Sequence, residues 1–114
     1  MRSANNLGNM RCKPCQAGMP PLAQIEIDSL MRQLIGWQQY DHLISKTYRF
    51  KDYYQTIAFV NAIAWMSHRE DHHPELTITF NGCHVEYTTH AIHGLSENDF
   101  ICAAKVDTLF GNID

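Results

Sequence analysis

The sequence predicts an α+β domain in which helices cover an antiparallel sheet, with the element order α-β-β-α-β-β-α. Apolar residues recur at helical spacing in three segments, and residues 77–87 alternate in character around Asn81-Gly82. Asp52 and Ser96 stand where two of these helices would begin, as N-cap residues. A chain of 114 residues is long enough for one domain with a single hydrophobic core.

The first predicted elements are a helix and two strands. Apolar residues from Leu22 to Ile35 lie near helical spacing, and Gly36 is a stop signal. Residues 37–40 and 44–50 are predicted to be extended, joined by a turn at Asp41-His42. Residues 1–20 are polar, rich in Asn and Gly, and close with a Pro-Pro pair. They are therefore expected to form a flexible arm outside the core, which leaves 21–114 as the domain.

The second predicted helix begins after Asp52, with Gln55 three residues on in a capping-box arrangement. It should end near Asp71, because Pro74 disfavours the α conformation at the preceding residue. The last helix is predicted to begin at Ser96, with Asp99 as its capping partner. Its apolar stripe contains Cys102, Val106, Leu109, Phe110 and Ile113.

The dipeptide Asn81-Gly82 predicts a hairpin with a type I′ loop, which in turn predicts a register. Counting outward from this loop pairs Phe80 with Cys83, Ile78 with Val85, and Leu76 with Tyr87. The same count places His73 opposite His90, with His72 adjacent at the end of the preceding helix. His84 shares their polar face but lies about 20 Å along the strand, so it is expected to be a solvated strand residue.

Three of the seven histidines are thus predicted to converge, and the pattern allows three interpretations. The cluster is a surface feature with no role, or it is a three-histidine metal site like that of a catalytic zinc enzyme. Only Asp71 or Glu75 would support such a metal. In the third interpretation the imidazoles act without metal as general acid and base, because their unperturbed pKa lies near 6.5. The pattern alone does not choose between metal and acid–base chemistry.

Charge and cysteine content narrow the classes of function. With 9 Lys and Arg against 12 Asp and Glu, the net charge of −3 argues against a nucleic-acid groove or a membrane-surface binder. The longest apolar stretch, residues 57–66, is too short to span a bilayer, and the first residues show no signal-peptide core. A cytoplasmic, reduced protein is expected.

Cys12 and Cys15 supply half of a zinc site, which a second subunit or a histidine would have to complete; otherwise they are a reduced pair in the arm.

The sequence resembles the pterin-4a-carbinolamine dehydratases at three segments: Glu70-Asp71-His72-His73-Pro74-Glu75, Thr88-Thr89-His90 and Gly94-Leu95-Ser96-Glu97-Asn98-Asp99. The resemblance extends upstream to Pro20-Pro21-Leu22, Gly36-Trp37 and Phe50-Lys51-Asp52-Tyr53. It implies a four-stranded antiparallel sheet with helices packed on one face, assembled as a homodimer or homotetramer. It also implies dehydration of 4a-hydroxytetrahydropterin to the quinonoid dihydropterin, which recycles the tetrahydropterin cofactor of aromatic amino acid hydroxylases.

The resemblance further implies the residues of the site. His72, His73 and His90 correspond to the catalytic histidines, and the substrate-binding positions are Asp71, Pro74, Thr88, Thr89 and Ala91. No metal or redox cofactor is expected, since water loss needs only proton transfers. Hydrogen bonds from Asp71 or Glu75 are expected to set which imidazole is charged. Two positions depart from the family pattern: His68 replaces a common acidic residue, and Leu76 a common aromatic one.

Two other functions stay open at this point. Animal relatives also serve as dimerisation cofactors of a homeodomain transcription factor, so the chain could be a non-catalytic pterin-binding or dimerisation module. It could also act on another pterin, for example one connected with molybdenum cofactor. An unpaired sheet edge favours self-association in either case. No nucleic acid and no membrane is expected as a partner.

Overall fold

The computed structural model describes residues 7–113, and its elements follow the predicted order. Its helices are α1 (Gln24–Met31), α2 (Tyr53–Glu70) and α3 (Glu97–Gly111), and its strands are β1 (Gln38–Tyr40), β2 (Leu43–Arg49), β3 (Glu75–Thr79) and β4 (Gly82–Tyr87). The four strands form one antiparallel sheet in the order β1-β2-β4-β3. The predicted α+β fold is thereby confirmed. Within residues 7–113, no helix combines the length and the apolar character that crossing a bilayer requires.

The core lies between the sheet and the helices. On β4 the side chains of Cys83, Val85 and Tyr87 are fully buried, whereas His84 and Glu86 on the other face are half-buried. This alternation is the mark of a strand with one covered and one open face. The covered face meets buried residues of α2 and α3, among them Phe59, Ile63, Phe100, Ile101 and Val106.

Both predicted helix starts are confirmed. The side chain of Asp52 accepts a hydrogen bond from the N–H of Gln55 at 2.9 Å, which caps α2. Asp99 accepts one from the N–H of Ser96 at 2.9 Å, as a capping box requires at the start of α3. Helix α2 ends as predicted, with Asp71 as a left-handed C-cap at φ 54°.

The β3–β4 hairpin forms, but its predicted loop and register are wrong. The loop is Phe80-Asn81, and the observed pairs are Thr79 with Gly82, Ile78 with Cys83, and Leu76 with Val85. None of the turn residues has a positive φ, which excludes a type I′ turn. Gly82 is instead a strand residue that pairs with Arg49 on one side and Thr79 on the other. A Cβ there would lie 2.9 Å from Oγ1 of Thr79, so close packing of strands explains this glycine.

This shift of two residues preserves the inward and outward faces but changes the partners. Extended past the ladder, the observed register brings Thr88, not His90, opposite His73. The predicted cross-strand pairing of His73 with His90 is therefore wrong.

The N-terminal residues differ from the expected arm. Residues 1–6 of it lie outside the described residues, but Leu7 is buried in the core with an exposed fraction of 3%. Met10 and Cys12 pack against the same core, and Nζ of Lys105 on α3 donates to the carbonyl of Gly8 at 3.0 Å. The composition of this segment did not indicate the contact, because Leu7, Met10 and Cys12 are only three apolar residues among many polar ones. The domain boundary at residue 20 stays a prediction.

Helix α1 is shorter than predicted. It ends at Met31, and its buried residue is Ile27, while Ile25 and Ile35 are exposed. Only one position of so short a helix is buried, so the apolar spacing over residues 22–35 overstated its length.

Candidate active site

The three predicted histidines meet at one end of the sheet, around a cavity of about 490 Å³. Of the predicted site residues, only Pro74 does not line this cavity. The others do: Asp71, His72, His73, Thr88, Thr89, His90 and Ala91. Seven further residues complete the lining, and none was predicted to bind substrate, although Cys12 and Cys15 were considered as half of a zinc site: Cys12, Lys13, Pro14, Cys15, Arg69, Glu70 and Asn98.

Two chain reversals bring the histidines together. The left-handed Asp71 turns the chain out of α2, so that His72 and His73 lie between this helix and β3. His90 begins a short 3-10 turn after β4, and the N–H of Thr89 donates to the carbonyl of Gly94 at 3.0 Å across that loop. The histidines therefore converge through loop geometry rather than through cross-strand pairing.

His72 is held in place from two sides. Its Nε2 donates to Oδ1 of Asp99 at 2.7 Å, and its ring lies nearly parallel to that of Tyr87, with centroids 5.7 Å apart. The side chain of His72 is 13% exposed, and that of Asp99 is not exposed at all. The carboxylate that holds this imidazole is that of Asp99, not of Asp71 or Glu75. An influence of Asp71 or Glu75 on the charge of the other two imidazoles stays a prediction.

Asp99 is itself fully hydrogen-bonded. Its Oδ2 accepts from Oγ1 of Thr89 at 2.7 Å and from the N–H of Ser96 at 2.9 Å. A buried carboxylate with these donors is a rigid support for an imidazole. The capping signal Ser96-x-x-Asp99 was visible in the sequence, but a cap uses only one carboxylate oxygen. The partner of the second oxygen was not visible.

His73 and His90 differ from His72 in being exposed. Both also line a neighbouring cavity of about 160 Å³ that includes Glu75 and Glu86. Among residues 7–113, the histidine rings that form hydrogen bonds are those of His72 and His84. The site thus combines one oriented imidazole with two whose ring nitrogens are available to a ligand.

The other histidines lie outside the main cavity. His84 hydrogen-bonds Thr47 at 2.7 Å on the open face of the sheet, and the ring of His68 lies 5.6 Å from that of Trp65 at an angle of 31°. His42 and His93 line a cavity of about 370 Å³ that shares His90 with the site.

The cysteines of residues 7–113 are free thiols. Sγ of Cys12 lies 3.5 Å from Sγ of Cys102, and this hydrogen bond, together with burial, raises the pKa of the Cys102 thiol. No group of three or more His, Cys, Asp or Glu side chains in the described part of the chain is arranged to hold a metal ion.

The model of one protein family, described as pterin 4 alpha carbinolamine dehydratase, matches residues 20–109. A protein of Nitrosospira multiformis named "Putative pterin-4-alpha-carbinolamine dehydratase" is 65% identical over 93% of this chain and 94% of its own length. A protein of Nitrosomonas eutropha with the same name is 60% identical over 96% of this chain and 97% of its own length.

Two solved structures are similar. A transcriptional coactivator/pterin dehydratase from Brucella melitensis has a TM-score of 0.76 at 30% identity, covering 78% of this chain and 97% of its own. A pterin dehydratase-like RuBisCO assembly factor of the alpha-carboxysome has a TM-score of 0.56 at 26% identity, covering 66% of this chain and 87% of its own.

Proposed function

Because the chain belongs to the pterin-4a-carbinolamine dehydratase family, we propose that it dehydrates 4a-hydroxytetrahydropterin to the quinonoid dihydropterin. The observation that supports this most directly is the pairing of His72 with the buried Asp99 beside two exposed histidines. One cavity joins all three imidazoles. Imidazoles exchange protons near neutral pH, and this reaction requires two proton transfers.

The reaction breaks the C4a–O bond and forms a double bond between C4a and N5. An acid gives a proton to the leaving hydroxyl, and a base removes the proton of N5, so no net proton is gained or lost. His72 suits the role of base, because the Asp99 carboxylate stabilises the imidazolium that forms and holds the ring in one orientation. His90, with His73 beside it, suits the role of acid toward the hydroxyl.

The test is dehydration kinetics of His72→Ala, His73→Ala and His90→Ala. Loss of a general acid or base should lower kcat by about 10²- to 10⁴-fold. His84→Ala is the matched control, since His84 is a half-buried histidine outside the cavity, and it should keep the wild-type rate. Wild-type rates in all three site variants would refute the mechanism.

The proposal includes the setting of the reaction. No cofactor is required, the product feeds the recycling of a tetrahydropterin used by an aromatic amino acid hydroxylase, and the enzyme works in the cytoplasm.

Strands β1 and β3 form the two edges of the sheet, and an unpaired edge favours pairing with a second copy. We expect a homodimer or homotetramer, and light scattering that detects only monomer at micromolar concentration would contradict this.

A second candidate is a non-catalytic pterin-binding or partner-assembly protein. It is favoured by the similar structures, since one is described as a transcriptional coactivator/pterin dehydratase and the other as an assembly factor. An assay with 4a-hydroxytetrahydrobiopterin separates the candidates. Tight pterin binding without turnover would favour the second.

A further inference from the structure

A segment that precedes the family's matched region forms part of the candidate site. Residues 12–15, called the strap below, contribute all four of their residues to the lining of the 490 Å³ cavity. The family model begins to match only at residue 20. The strap thus contributes to the site from outside the region that the family model matches.

Asn98 holds the strap to helix α3. Its Oδ1 accepts from the N–H of Lys13 at 2.9 Å, and its Nδ2 donates to the carbonyl of the same residue at 2.5 Å. This pair of bonds satisfies both main-chain groups of Lys13. Asn98 is 7% exposed and directly precedes Asp99, so one turn of α3 positions both the strap and His72.

Glu70 holds the strap to the end of helix α2. Its Oε1 accepts from the N–H of Cys12 at 2.9 Å, and its Oε2 pairs with Nε of Arg11 at 3.0 Å and with Nζ of Lys105 at 3.8 Å. Burial opposes ionisation of Glu70, but the hydrogen bond from Cys12 and the two cations keep its pKa below the ordinary value. Glu70 lies two residues before His72. The strap is therefore attached to both helices that carry the site.

We propose that the strap determines the affinity of the site for its pterin substrate without taking part in the proton transfers. The identity of the ligand rests on the proposed function above. Small-molecule sites gain affinity by enclosing most of the ligand surface, and the strap supplies four of the fourteen residues that line this cavity. Contacts that are equal in the ground and transition states lower KM and leave kcat unchanged.

The similar proteins cover different shares of this chain. The similarity to the Nitrosospira protein covers 93% of this chain and therefore includes the strap. The Brucella structure is matched over 97% of its own length but covers only 78% of this chain, so part of this chain has no counterpart in it. If the shared domain carries the chemistry, relatives without a strap should catalyse the same step with weaker substrate binding.

The experiment compares two full-length double variants. Pro14→Gly/Cys15→Gly removes two lining side chains, and with them the 3.4 Å contact of Cys15 Sγ with Nδ2 of Asn98. It leaves in place the main-chain bonds that hold Lys13 to Asn98 and Cys12 to Glu70. Gln16→Gly/Ala17→Gly is the matched control, because it adds two glycines directly after the strap, at positions that do not line the cavity. The dissociation constant of 7,8-dihydrobiopterin, measured by calorimetry, is compared with kcat and KM for dehydration.

In the strap variant we expect the dissociation constant and KM to rise about five- to tenfold, with kcat within about twofold of wild type. The control should match wild type in the dissociation constant, in KM and in kcat. If the strap variant unfolds, Asn98→Ala releases the strap by another route and should give the same split between KM and kcat.

Three results would overturn the proposal. An unchanged dissociation constant in the strap variant, with normal binding and turnover by wild type, refutes the role of the strap but leaves the proposed function intact. An equal loss of affinity in the control assigns the effect to chain flexibility rather than to the lining side chains. Absence of both binding and turnover in wild type overturns the proposed function and the role of the strap with it.

Discussion

Nε2 of His72 lies 2.7 Å from Oδ1 of Asp99, a carboxylate whose other oxygen caps helix α3. One buried side chain thus serves both the fold and the candidate site. This double use links the orientation of His72 directly to the start of α3, because neither contact can move without the other.

Replacing Asp99 should therefore affect activity more than stability. In Asp99→Asn the amide oxygen can still accept the hydrogen bonds from Thr89 and Ser96, but the negative charge beside His72 is lost. We expect kcat to fall about 10- to 100-fold in dehydration assays. Ser96→Ala is the control, since it weakens the cap of α3 by about 1 kcal/mol and leaves the His72–Asp99 pair in place. An equal loss of kcat in both variants would show that only the helix cap matters.

Tyr87 supports the other face of His72 and carries a buried hydroxyl. Its OH lies near the side chains of Ser67 and Cys102 but forms no hydrogen bond of ordinary geometry among residues 7–113, and burial raises its pKa. Tyr87→Phe should keep the wild-type kcat and stabilise the fold by up to about 1 kcal/mol, because an unsatisfied polar group is removed. Tyr87→Leu should lower both stability and kcat, since the parallel ring is lost. Urea unfolding and kinetics test both variants, and a destabilised Phe variant would mean that the hydroxyl has a partner.

Asp107 on α3 joins the helix to the sheet. It accepts hydrogen bonds from Nε1 of Trp37 at 3.1 Å, from Nζ of Lys46 at 2.9 Å and from the hydroxyl of Tyr48. Burial and the neighbouring carboxylate both raise the pKa of Tyr48, so its hydroxyl remains a donor. Asp107→Leu leaves the donors of Trp37 and Tyr48 without this acceptor, while Nζ of Lys46 keeps the carbonyl of Ile35 at 2.9 Å. The loss should cost about 2–3 kcal/mol in urea unfolding. The exposed Asp28→Asn should change stability by less than about 0.5 kcal/mol, and a similar small effect for Asp107→Leu would contradict the role of the cluster.

Glu70 should make the fold sensitive to acid. Its pKa in the folded protein lies below the ordinary value of 4.5, so its contribution to stability is complete above that pH and is lost as the pH falls through the lowered pKa. Wild type should be more stable than Glu70→Gln near neutral pH, and the difference should shrink in acid. Urea unfolding of both proteins from about pH 3 to pH 7 measures this. A difference that stays constant across the range would show that the charge of Glu70 contributes nothing.

Local signals in the sequence were sufficient for most of the fold. The caps at Asp52 and Ser96, the end of α2 before Pro74 and the presence of a hairpin near Asn81 depend on residues within a few positions of one another. The register depended on more than the hairpin itself. Gly82 pairs with β2 as well as with β3, and the close approach of Thr79 placed the turn one residue earlier than the Asn-Gly pair indicated.

The sequence by itself determined the element order and the two helix caps, because these follow from short-range geometry. The choice of His72, His73 and His90 as site candidates is supported by the family resemblance and by imidazole chemistry, since the register count that paired His73 with His90 was wrong. Only the tertiary structure decided what surrounds them. Asp99 lies 27 residues from His72, Asn98 lies 85 from Lys13, and Glu70 lies 58 from Cys12. No periodicity or motif encodes such pairs, since each depends on how α3, α2 and the N-terminal residues pack together.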